Sequence, residues 1–131
     1  MSTSRARWWG YVRAMIRDYP KLRQQQDSTA APPLTVDDRK VLDAVRQAID
    51  RTQHTPTGSG KLKLIRYMYW SAQTIPGKTA ALQLGISEIT AKRWHGSFVR
   101  EVARCYGFTV PESGRKNRSR RVLLIGEDQS F

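Results

Sequence analysis

The chain has 131 residues, 23 of them Lys or Arg and 11 Asp or Glu, for a formal net charge of +12. One ordinary domain with room for an arm at each end fits that length, and the positive excess is the electrostatic footprint of a nucleic-acid partner, with an anionic membrane surface as the alternative. A single cysteine excludes an internal disulfide and any cysteine-rich zinc site, and no apolar run approaches the ~18 residues of a membrane span or reads as a secretory leader.

The charge is unevenly spread. Residues 1–26 hold six basic and one acidic residue (net +5), and residues 27–60 hold four and five (net −1). Residues 61–111 hold eight and two (net +6), and residues 112–131 hold five and three (net +2). In chain order, Trp8, Val12, Met15, Ile16 and Tyr19 recur at helical spacing, which predicts a basic helix from about Arg5 that Pro20 ends. Trp8 and Trp9 lie about 100° apart on it, so one should pack and the other stay partly exposed. Residues 1–22 are therefore expected as an N-terminal arm, and 23–34, polar and then proline-rich, as a linker.

Thr35 is a helix N-cap with Asp38 in box-like spacing. Val41, Leu42, Val45 and Ile49 form the stripe of a helix over 36–51, whose acids Asp37, Asp38, Asp43 and Asp50 read as a solvated face or a partner-facing surface. Residues 52–60 read as a loop. Residues 61–71 then form a third helix, with Leu62, Ile65, Met68 and Tyr69 on one face and Trp70 in the core; Thr74 to Gly77 stops it.

The sharpest pattern spans residues 78–105. A helix-turn-helix needs a small residue where its helices approach and a turn residue that tolerates positive φ. Ala81 and Gly85 supply these, with Leu84 and Ile86 pointing into the core and Ser87 as N-cap of the second helix. Ala91, Trp94, Phe98 and Val102 then face the core. That leaves Glu88, Ile89, Thr90, Lys92, Arg93 and Ser97 outside. Recognition helices present their N-terminal turns to base edges, which makes Glu88, Ile89, Thr90 and Arg93 candidates for base contact. Lys78, Thr79 and Lys92 are placed for phosphates. The rival use of the same pattern is an ordinary helical hairpin closed by Gly85.

Several blocks also resemble a known family. Arg7-Trp8-Trp9-Gly10-Tyr11-Val12 with Met15 to Pro20, Asp43 to Ile49 with Leu64 to Trp70, and Thr90 to Gly96 with Phe98 to Ala103 are similar, in order, to RinA/ArpU-type phage transcriptional regulators. The likeness covers roughly residues 5–108 and implies a sigma region 4-like helix-turn-helix that puts Ile89, Thr90, Lys92 and Arg93 on the DNA-facing helix. It also implies promoter binding that activates late genes through host RNA polymerase. Q-type phage antiterminators share the same order of features.

The resulting expectation is an all-α protein: an N-terminal arm helix, a linker, a compact domain over 35–110 ending in the helix-turn-helix, and a basic tail over 111–131. The tail reads equally as a solubilising segment or a nucleic-acid arm. Expected partners are double-stranded DNA and bacterial RNA polymerase, in the cytoplasm of a bacterial host, with a homodimer allowed. An antitermination factor and a small terminase subunit are the alternatives. No nucleophile, base and orienting group assemble, so neither catalysis nor a cofactor is expected. His54 and His95 with one cysteine make no metal-ligand spacing; His95 reads as a solvated or core-edge residue and Cys105 as a small buried hydrophobe.

Overall fold

A computed structural model of the chain describes residues 7–110. The tail over 111–131 therefore lies outside the described residues, as does the expected start of the first helix at Arg5. Every regular element described is helical: α1 (Trp8–Asp27), α2 (Val36–Gln53), α3 (Gly58–Ile65), a π-helical turn (Arg66–Trp70), α4 (Gly77–Leu84) and α5 (Glu88–Tyr106). The all-α expectation holds.

The first helix is not an arm. Its buried residues Trp9, Val12, Met15, Ile16, Tyr19 and Leu22 join one core with Val41, Leu42, Ala44, Val45 and Ala48 of α2 and Phe98, Val99, Val102 and Ala103 of α5. Each large apolar side chain buried here contributes roughly 1.5–3 kcal/mol, so this stripe binds α1 to the body of the molecule. Trp9 is buried while Trp8 stays half-exposed, stacked on Phe108 at 6.2 Å, as adjacent positions on a helix require.

Nor does Pro20 end that helix; α1 runs on for two further turns to Asp27. A proline inside a helix removes the N–H that would bond the carbonyl four residues earlier, at a cost of about 3 kcal/mol. Here the orphaned Ile16 carbonyl accepts the Trp70 indole Nε1–H at 2.7 Å. A tertiary bond replaces the missing local one. The connection to α2 shrinks to residues 28–35.

Thr35 caps α2 as expected, its hydroxyl accepting the Asp38 N–H at 3.0 Å. Residues expected as loop become helix at both ends, because α2 continues to Gln53 and α3 begins at Gly58. Gly-Ser-Gly is a poor helix start by propensity, and close packing overrides it. A methyl group on Gly60 would come 2.9 Å from the Trp94 ring, so glycine lets α3 lie this near α5 without displacing that ring. After Ile65 the chain widens into the π turn, closed by a bond from the Ser71 N–H to the Arg66 carbonyl at 2.8 Å.

Candidate nucleic-acid interface

α4 and α5 meet through a second, smaller apolar cluster of Leu64, Ala80, Ala81 and Ala91, ringed by half-buried Leu84, Ile86 and Trp94 among others. Alanines on both helices bring the backbones close. Gly85 adopts φ 71° and ψ 32°, the left-handed conformation in which a side chain is strained. Around it the Ile86 N–H bonds the Ala81 carbonyl at 3.0 Å and the Gly85 N–H bonds the Leu82 carbonyl at 3.2 Å. This paired pattern closes the C-terminus of α4 and satisfies carbonyls the helix leaves open.

Two residues later Ser87 stops the turn and starts α5. Its Oγ accepts the Thr90 N–H at 3.0 Å and donates to Thr90 Oγ1 at 2.9 Å. Thr90 keeps one hydroxyl proton to donate outward, which narrows the role expected of it as a base reader. The N-terminal turns of α5 are open to solvent: Ile89 is 53% exposed, and Ser87, Glu88 and Arg93 are exposed with it. Lys78 is exposed at the start of α4, beside half-buried Thr79.

Lys92 is half-buried and 3.9 Å from Glu88 one turn earlier, so part of its charge is answered within the protein. Arg93 joins no ion pair among the described residues and is the guanidinium this helix presents freely. Ile89, Arg93 and Ser97 recur every four residues and form one stripe along α5. At its far end Ser97 is half-buried and accepts from Lys61 Nζ at 3.4 Å. Lys61 was invisible as a site residue in the sequence, because helical periodicity put α3 in the core without saying which flank of α5 it borders.

The opposite face of α5 differs from expectation at three residues. His95 is neither solvated nor at the core edge but fully buried. Trp94 is half-buried against α3 rather than fully in the core, and Cys105 is half-buried with Sγ 3.6 Å from Glu101 Oε2. Arg13 Nε donates to the Tyr69 hydroxyl at 2.7 Å, and that hydroxyl lies 2.7 Å from His95 Nε2. The Tyr69 hydroxyl thus links the Arg13 guanidinium to the buried imidazole of His95. Burial pushes the Tyr69 hydroxyl above the ordinary tyrosine range, with Arg13 opposing, so the phenol stays protonated. Trp9 meets His95 edge-on at 6.0 Å. α1, the π turn and α5 are thus pinned together behind the exposed stripe.

Of the acidic residues of α2, Asp37, Asp43 and Asp50 are exposed and Asp38 is half-buried. Asp37 accepts from the Tyr106 hydroxyl at 2.7 Å, and Asp50 sits 4.0 Å from His54. Among the described residues no three His, Cys, Asp or Glu side chains gather as metal ligands, and no helix is long and apolar enough to cross a membrane. No family model matches the chain, and neither a curated protein nor a solved structure is significantly similar to it.

Proposed function

We propose that the α4–turn–α5 unit is a helix-turn-helix that binds duplex DNA, with the first turns of α5 in the major groove. One observation carries the reading. A helix capped by Ser87 after a left-handed glycine turn presents Ile89 and the unpaired Arg93 at its open end, and Lys78 flanks them from α4. Arg93 is the residue suited to bidentate contact with guanine, and Ile89 to apolar contact with a thymine methyl. Lys78, Thr79 and Lys92 position the duplex through phosphates, and Glu88 and Thr90 tune contacts at the helix start. The net charge of +12 supplies the sequence-independent part of the affinity.

The biological role we assign is transcription regulation of the phage type, in which promoter binding is followed by contact with host RNA polymerase. The order of sequence blocks resembling RinA/ArpU-type regulators supports it. Binding of the full chain to duplex DNA across a salt series tests the first step. Neutralising about five phosphates predicts a slope of about −4.5 in log K against log salt. A slope of zero sinks the nucleic-acid reading, and a reporter with the candidate promoter, with and without the protein, tests activation.

A further inference from the structure

A groove of about 400 Å³ opens on a part of the molecule that contributes nothing to the proposed DNA site. Its walls are Tyr19 of α1, Ile49 of α2, Leu62 of α3 and Trp70 of the π turn, and Arg23 and Arg66 stand at its edge. No lining residue comes from α4 or α5.

Two irregularities of the backbone build this groove. Pro20, itself a lining residue, lets α1 continue only because the Trp70 indole bonds the Ile16 carbonyl. That bond sets the Trp70 ring beside Tyr19, with centroids 5.3 Å apart. The π turn then brings Arg66 and Trp70, its first and last residues, to the same opening. π turns inside helices recur at functional sites. The volume lies in the ~300–1,000 Å³ range of ligand pockets.

The charges identify the occupant. Both arginines are exposed, and no acidic residue lines the groove. Among the described residues neither arginine joins an ion pair; Arg23 lies 5.8 Å over the Tyr19 ring and Asp27, one turn on, makes no bridge to it. An aromatic and aliphatic floor between two unanswered guanidinium groups matches a segment that carries an apolar anchor beside carboxylates. We propose that this groove docks an acidic peptide segment of a protein partner, its anchor against Tyr19 and Trp70 and its carboxylates on Arg23 and Arg66. The site is independent of the DNA reading.

The test is a titration of the isotope-labelled full chain, followed by the indole N–H signal of Trp70 (assigned by its loss in Trp70→Phe). The probe is the blocked peptide Glu-Asp-Leu-Phe-Glu. This peptide is expected to shift the Trp70 indole and the Ile49 and Leu62 methyl signals in a saturable way. In an Arg23→Ala, Arg66→Ala double variant that keeps its helical circular dichroism, affinity should fall about five- to tenfold, the scale of two exposed charge pairs. An Arg66→Glu variant should regain binding to the lysine-inverted peptide. The proposal is overturned by no shift at millimolar peptide, or by equal shifts from the lysine-inverted peptide or from one with glycine in place of Leu and Phe. Shifts of these groove signals by a short DNA duplex and not by the peptide overturn it too, because the groove would then extend a nucleic-acid surface.

Discussion

α5 passes through two cores of different character. Its C-terminal half carries Phe98, Val99 and Val102 into the large aromatic and aliphatic core shared with α1 and α2. Its N-terminal half rests on a small cluster in which three of the four buried residues are alanines. The large core holds bulky side chains at near-zero exposure and so accounts for most of the hydrophobic stabilisation. The alanine cluster buries little area but lets α4 approach α5 closely and keeps the first turns of α5 on the outside. Stability and the exposed candidate site therefore sit at opposite ends of one helix, and substitutions should separate them.

The largest effect is expected in the large core. Phe98→Ala should cost about 3–5 kcal/mol, read by urea unfolding, because the side chain is fully buried. A cost below 1 kcal/mol would mean that the core collapses into the gap and that the contrast between regions is overstated.

Trp94→Ala probes the other end. Its ring is half-buried against Gly60, so about 2 kcal/mol is expected rather than the full penalty of a core aromatic. Amide exchange should quicken in α4 more than in α1. Equal loss of protection in both helices would show a single cooperative unit.

At the exposed stripe the expected change is in recognition, not in folding. Arg93→Ala should keep stability within about 0.5 kcal/mol and lose about 1–3 kcal/mol of discrimination at one or two base pairs. Lys78→Ala should weaken specific and nonspecific duplexes alike. Binding of both variants to a library of mutated sites at one salt concentration measures this, and a swap of the two behaviours would move base reading from α5 to the start of α4.

Ser87→Ala gives the smallest shift, about 1 kcal/mol, for the lost cap at the Thr90 N–H. Because that cap defines where α5 begins, affinity for DNA should fall together with stability. A variant that loses stability and keeps full affinity would show that the first turn of α5 forms without its cap when DNA is bound.

Local chemistry made much of this molecule legible in one dimension. Thr35 and Ser87 are caps because a hydroxyl one residue ahead of an apolar period has an N–H to accept from, and Gly85 is a turn because its conformation excludes side chains. The stripes of α1, α2 and α5 announced most of their buried faces by spacing, with Trp9 buried where the stripe named Trp8 and His95 buried deeper than Trp94, and the exposure of Ile89 and Arg93 followed as the complement of that spacing. What lay beyond the sequence were the interactions between distant residues. Pro20 reads as a helix end until Trp70 arrives from fifty residues away to take the Ile16 carbonyl. His95 reads as a solvated or core-edge residue until Tyr69 and Arg13 supply a buried partner chain, and Gly58 and Gly60 read as loop until the end of α2 closes on the first and Trp94 of α5 on the second. Each of these outcomes was decided by tertiary structure for one physical reason: a local preference worth about 1–3 kcal/mol gives way when a distant group replaces the missing hydrogen bond or buries comparable apolar surface.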